Sequence, residues 1–187
     1  MLDLRIETPR LLLRPLTLDD AADMFDYASD PEITRYVTWN AHRTIADSES
    51  MIRTYAFENY KNREPAPLGI ILKETKKLVG TVDLMAVSPR WRVEELGYTI
   101  GRAYWNRGYM SEAAQAMIHH GFKERGLVRI QARLITFNLP SMRVLEKCGM
   151  LREGTLRKAC IKNDRSYDLY MYSILRDEWL LSQSSES

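Results

Sequence analysis

Hydrophobic and polar residues alternate most cleanly over residues 128–136. Val128, Ile130, Ala132 and Leu134 take one side and Arg129, Gln131 and Arg133 the other, the period of a half-buried strand. A second repeat, at i, i+3, i+4, i+7 and i+8, joins Met110, Ala113, Ala114, Met117, Ile118, Gly121 and Phe122 and predicts an amphipathic helix. Upstream, Thr8-Pro9 leads into an apolar strand over 10–16 containing Leu11, Leu12 and Leu13. Thr17 caps a helix whose inner face carries Leu18, Ala21, Ala22, Phe25 and Ala28, and Asp30-Pro31 ends it; PEITRYVTW then reads as a helical turn followed by coil. A second helix spans about 44–61, with Ile45, Ile52, Tyr55, Ala56 and Asn59 on one face and Pro65 and Pro67 as its stop.

Two strands, 68–72 and 78–87, flank the polar turn of Lys73, Glu74, Thr75, Lys76 and Lys77 as a hairpin. The stretch 94–100 is a strand with Leu96, Tyr98 and Ile100 on one side. A short helix covers 138–148 with Gly149 at its C-terminal cap. Two last strands, 151–161 and 166–175, turn at Lys162, Asn163 and Asp164. The order is strand, two helices, three strands, helix, strand, helix, two strands. This is a mixed α/β chain of the α+β type, expected to form a single domain over 1–181 with a disordered tail over 182–187.

Size and charge narrow the function classes. A chain of 187 residues fills one domain, not two. A net charge of +2 lacks the basic face a nucleic-acid binder needs. MLDLRIETPR has no basic and apolar leader pattern, and no apolar run approaches a membrane span, so the expected setting is cytoplasmic, with no membrane partner. Cys148 and Cys160 lack metal spacing, and Cys148 reads as a small core residue. His119 and His120 point about 100° apart on a helix and cannot chelate one ion, so no metal is expected. The glycines at 97, 101 and 108 are too widely spaced for a dinucleotide fingerprint.

The candidate chemistry centres on the strand at 94–100 and the helix that follows it. Between them lie Trp105, Asn106, Arg107 and Gly108. A strand feeding a helix through a glycine loop binds phosphate, because the helix's first amides have no intrahelical partner and carry the positive end of its dipole. Gly108 permits close approach, and Arg102 and Arg107 add charge.

WNRGYMSEA resembles the acyl-CoA pyrophosphate loop of the GNAT acetyltransferase superfamily, usually Q/R-x-x-G-x-G/A. ELGYTI before it and NLPSMRVLEKCGM after it resemble the flanking motifs of the branch that includes the ribosomal-protein N-terminal acetyltransferases. Two positions depart: Trp105 replaces Gln or Arg, and Met110 replaces a small residue. The resemblance implies a GNAT fold, a twisted, mostly antiparallel sheet of about seven strands splayed between the fourth and fifth, with about four helices. It implies acetyl-CoA as co-substrate. Its pantetheine would pair with Leu96, Gly97, Tyr98, Thr99 and Ile100. Its pyrophosphate would lie at Arg102, Arg107, Gly108, Tyr109, Met110 and Ser111, and its thioester near Glu95, Asn138 and Ser141.

The resemblance also assigns roles. A backbone N–H near Gly97 or Tyr98 is the implied oxyanion donor. Glu95 is the first candidate general base and Glu94 the second; only one of two successive strand residues can face the cleft, and the plainer alternative is that both are solvated. Relatives carry a second carboxylate where this chain has Cys160, and a proton-donating Tyr where it has Leu145. Ser141 is then the remaining hydroxyl for the leaving thiolate, its plainer role being at the helix start behind Asn138.

This sparse acid/base set favours an easily deprotonated acceptor. An α-amine titrates near 7.7 to 8.0 and a lysine near 10.4. A protein N-terminus, including a ribosomal one, is therefore the expected acceptor, by direct attack in a ternary complex. A small amine such as a polyamine, amino acid or antibiotic is the alternative, and a non-catalytic acyl-CoA-binding module the third reading. The acids Asp19, Asp20, Asp23, Asp26, Asp30 and Glu32 precede the first base at Arg35. They form either a cation-attracting wall, with Asp26, Asp30 and Trp39 as substrate candidates, or a solvated helix face. Trp91 is a further aromatic candidate, and the family resemblance admits a homodimer.

Overall fold

The computed structural model describes residues 4–37, 39–62 and 66–184. The chain opens with β1 (Ile6–Glu7) and β2 (Leu11–Pro15). Thr17 and Asp20 form a reciprocal capping box over a single turn that leads into α1 (Ala21–Ala28). Asp30 caps the short α2 (Pro31–Thr34) by accepting the Glu32 N–H. α3 (Ile45–Met51) passes through a widened turn at Ile52–Phe57 into α4 (Glu58–Asn62). That turn spaces the inward positions four apart, so Ile52, Ala56 and Tyr60 are buried while Tyr55 turns outward; Ile45, in the first turn of α3, is also exposed. A regular 3.6-residue repeat had placed Tyr55 and Ile45 on the inner face. Of the expected stops, Pro65 lies outside the described residues, as does Thr38 in the turn after α2.

β3 (Leu68–Leu72), β4 (Leu78–Ser88) and β5 (Val93–Ile100) form an antiparallel meander. α5 (Tyr109–Lys123), β6 (Arg129–Ile135) and α6 (Leu139–Lys147) follow, then the hairpin of β7 (Leu151–Lys162) and β8 (Arg165–Leu175). Asn163 and Asp164 both adopt positive φ, which suits a tight two-residue hairpin turn. The eight strands form one sheet in the order β1-β2-β3-β4-β5-β6-β8-β7, one more than expected because the two-residue β1 adds to the edge. Every neighbouring pair is antiparallel except β5 and β6. Among the described residues no helix is long and apolar enough to cross a membrane.

α7 (Arg176–Ser184) was not foreseen, and it makes residues 182–184 of the expected tail helical; 185–187 lie outside the described residues. Trp179 packs it against His119 and Phe122, while Leu180 and Leu181 are exposed, so its sequence shows no apolar stripe.

The sheet has a core on each face. α5 and α6 cover one, where every residue of the predicted α5 stripe is buried beside Val82, Leu84, Leu96 and Ile130. Fully burying a side chain such as Phe122 contributes roughly 1.5–3 kcal/mol. α1 and the long α3–α4 helix cover the other, around Met24, Tyr27, Ile52, Ala56 and Ile71. The two faces of β5 differ in consequence: Leu96 and Tyr98 point to the α5 side, and Glu95, Gly97 and Thr99 to the α1 side.

Candidate active site

β5 and β6 pair in parallel over only Val93↔Arg129, Glu94↔Ile130 and Glu95↔Gln131. Beyond that point β5 stays with β4 and β6 with β8, so the sheet opens into a splay between the fourth and fifth long strands. Gly101 donates its N–H to Val79 O at 2.8 Å, which fixes the alternation along β5. Residues 97 and 99 share that parity and turn their backbone groups to β4. Leu96, Tyr98 and Ile100 have the opposite parity and turn theirs to the splay. Of the five residues expected to pair with pantetheine, these three have the backbone for it, and Gly97 and Thr99 do not. By the same parity, of Gly97 and Tyr98 only Tyr98 turns its N–H towards the opening.

The loop ends at Gly108, whose φ of 77° and ψ of −1° are open to glycine at little cost. No side chain caps α5, and the first intrahelical bond is Glu112 N–H to Gly108 O, so the amides of Tyr109, Met110 and Ser111 have no partner within the helix. Trp105, the departure from the usual motif, donates its indole N–H to Ile100 O at 3.0 Å and ties the loop to the end of β5. Arg107 is exposed. Arg102 instead forms an ion pair with Asp30 at 2.9 Å, and Asp30 also caps α2. Arg102 is the more exposed partner of this pair and Asp30 the more buried one.

Arg10 supplies a cation the sequence did not reveal. Its guanidinium pairs with Glu112 in the first turn of α5 at 2.7 Å, donates to Arg107 O at 2.9 Å and lies over the Tyr109 ring at 4.5 Å. A Cβ on Gly108 would stand 3.3 Å from Arg10 Nη2, so this guanidinium borders the amide cluster.

Tyr98 and Ser141 meet across the splay. The phenol lies 2.8 Å from Ser141 Oγ and 3.2 Å from its carbonyl oxygen. Asn138 caps α6 by accepting the Ser141 N–H at 3.2 Å, so Ser141 sits at the helix start with its hydroxyl against the Tyr98 phenol. Leu145 is buried. Cys148 is buried on the α5 side, where burial pushes its thiol up to about 12, in keeping with a core residue. Cys160 is half-buried on β7.

The carboxylates are not solvated. Glu94 faces the α5 side and pairs with Arg125 at 2.5 Å; burial raises its pKa, and its Oε2 has no partner among the described residues. Glu95 faces the α1 side at 8% exposure, where Arg133 Nε donates to both its oxygens, at 3.0 and 2.8 Å, and Gln131 Nε2 to one at 3.1 Å. Both Glu95 oxygens are thus engaged by donors from β6.

Next to Glu95 on the same face is Asp83 of β4, which the sequence reading passed over. Burial, and then the charge of Glu95, push Asp83 up to about 7, opposed by the Gly97 N–H. Trp39 is half-buried against the α1-side core and packs on His42, whereas Trp91 is exposed. Asp26 is exposed on α1 and borders, with Asp23, Tyr27 and Asp30, a recess of about 270 Å³ outside the splay. Among the described residues no group of three or more His, Cys, Asp or Glu side chains is placed to hold a metal.

The family comparison agrees with this layout. A family model described as an acetyltransferase (GNAT) domain matches residues 10–151. The chain is 37% identical over 171 residues, 91% of its length and 96% of the relative's, to the uncharacterized N-acetyltransferase YoaA of Bacillus subtilis. It is 30% identical over 112 residues, 60% of its length and 62% of the relative's, to the ribosomal-protein-serine acetyltransferase of Escherichia coli. Among solved structures, a GNAT-family acetyltransferase from Bacillus anthracis superposes with a TM-score of 0.84 at 32% identity, covering 93% of this chain and 99% of that one. The microcin C7 self-immunity acetyltransferase MccE, solved with acetyl-CoA and AMP, superposes with a TM-score of 0.79 at 25% identity, covering 90% of this chain and 93% of that one.

Proposed function

We infer the reaction from two facts together: the chain belongs to the GNAT acetyltransferase family, and its sheet parts beside a helix start whose first amides are uncapped. It is an acetyltransferase, and we read its reaction as acetyl transfer from acetyl-CoA to a primary amine by direct attack in a ternary complex. The observation that carries this is the parting of β5 from β6 after Glu95, which turns backbone groups of Leu96, Tyr98 and Ile100 towards the opening, the Ile100 carbonyl being shared with the Trp105 indole. An extended amide-bearing arm fits there as an added strand. Bound acetyl-CoA supplies an activated thioester acyl group, and the acetyl-CoA held by the MccE neighbour supports it as the donor.

The chain's residues divide the remaining work. The amides of Tyr109, Met110 and Ser111, with Arg10 and Arg107 nearby, hold the pyrophosphate. The Tyr98 N–H stabilises charge on the acyl oxygen. The Ser141 hydroxyl, oriented by Tyr98, protonates the departing sulfur.

The favoured acceptor is a protein α-amine. The ribosomal-protein-serine relative supports it, as does the ease of deprotonating an α-amine. The recess beside α1, where Asp23, Asp26 and Asp30 outnumber Lys77 and Arg102, supports a small cationic amine as the second reading. Incubating purified protein with a cell extract and isotope-labelled acetyl-CoA tests both. Label on protein N-termini is the expected outcome, label on a small amine alone promotes the second reading, and label on neither refutes both.

A further inference from the structure

Asp83 stands on the α1-side face of β4, opposite Gly97 of β5 and diagonal to Glu95. Its carboxylate lies over the Gly97 Cα so closely that a Cβ there would come within 2.4 Å of Oδ1. Glycine at 97 therefore gives this carboxylate its place. The residue is half-buried and not sealed from solvent. Glu95, held by Arg133 and Gln131, is the neighbouring charge that acts on it. Asp83 thus combines access, a neighbouring negative charge and a neutral-range pKa of about 7, the match a proton acceptor needs at physiological pH.

Resting on the acetyltransferase reading above, we propose that Asp83 receives the proton of the acceptor ammonium, and that Glu95 serves as the charge that tunes it and is not itself the base. Strands lie about 4.8 Å apart, so Asp83 is one strand in from the splay and takes the proton through a water. The ammonium gives one proton to Asp83, which passes it to solvent, and leaves a neutral amine. As the nitrogen–carbon bond forms and the carbon–sulfur bond breaks, the second proton leaves nitrogen and ends on sulfur by way of Ser141. One acetyl amide, one thiol and one solvent proton result.

The groups that bear on Asp83 come from three sides. Glu95 lies on β5, with Arg133 and Gln131 of β6 behind it. Tyr55 and Tyr60 of the long helix sense the Asp83 charge, and both have raised pKa values. Tyr27 of α1 bonds Thr81 on the same face and is likewise raised. All three phenols are neutral throughout the range that matters.

Two measurements on the full chain test this. In the protein labelled with carboxyl-13C aspartate, with Asp83→Asn for assignment, one resonance titrates near neutrality and moves to lower pH in Glu95→Gln. An Asp83 signal titrating near 4, the ordinary aspartate value, overturns the proposal with no acceptor required. The second measurement is the pH profile of acetyl transfer from acetyl-CoA to a mixture of peptides bearing all N-terminal residue types plus spermidine.

Asp83→Asn is expected to bind CoA normally, to lose about a hundredfold in kcat/KM, and to keep only the acid limb set by the acceptor amine's own pKa. Glu95→Gln keeps the Asp83 limb and shifts it to lower pH, because a like charge has been removed. An acid limb unchanged from wild type in Asp83→Asn, or an Asp83 limb absent from Glu95→Gln, overturns the proposal. A wild-type protein that binds CoA and acetylates nothing overturns the underlying reading instead.

Discussion

Replacing Gly108 by asparagine and, separately, by aspartate isolates the electrostatics of the loop. Both side chains must adopt the glycine's φ of 77°, and both meet Arg10 Nη2 about equally. Each therefore loses about 1 kcal/mol of folding stability, roughly 2–4 °C in Tm for a chain of this size. Only aspartate adds a charge beside the amides of Tyr109 and Met110. Two like charges about 5 Å apart repel by roughly 3 kcal/mol at an effective dielectric of about 20. Gly108 is exposed, and screening reduces this to about 1.5–3 kcal/mol. The Kd for CoA should therefore rise roughly tenfold to somewhat over a hundredfold in Gly108→Asp relative to Gly108→Asn, with the gap narrowing as salt is added. Calorimetric titration of both variants measures it. Equal affinities for the two would refute the placement of pyrophosphate at this loop.

Other expectations follow from single contacts. Ser141→Ala should lower kcat about a hundredfold with KM little changed, and Tyr98→Phe should lower it less, since the phenol orients the serine and does not itself give the proton. Glu153 is held down to about 2 by the Arg129 fork and the Ser173 hydroxyl. A depressed carboxylate contributes stability above its ordinary pKa near 4.5 and loses it as pH falls towards 2. Wild-type Tm should thus fall more steeply than that of Glu153→Gln over this window, and parallel curves would refute the pairing. Native alkylation should label Cys160 and spare Cys148, whose thiol is buried and raised; mass spectrometry of the digest reads this directly.

What could be read from the sequence was whatever repeats locally. The α5 stripe and the β6 alternation are one-face patterns, and each element formed where its period placed it. The glycine loop was legible because Gly108 and the helix after it are contiguous. Asp83 was not, because a charge at an alternate strand position reads as solvent-facing until the register sets it against Gly97 and Glu95. Arg10 likewise gains its meaning only from Glu112 and Arg107, far along the chain. The widened turn in the second helix broke the assumed 3.6-residue repeat, and α7 escaped because Trp179 packs on the core while Leu180 and Leu181 are exposed, so no apolar stripe repeats along it. The Rim-type assignment rests on motifs shared with a broader family, of which the most similar relative cited here is an uncharacterized N-acetyltransferase.

Hydrogen exchange of the full chain with and without saturating CoA tests the central claim most directly, because the account assigns the ligand to particular backbone amides. Protection should appear over 96–100 and 108–112, with little change along the recess beside α1 or on β7. Protection confined to those other surfaces, or none at any CoA concentration, would contradict the account.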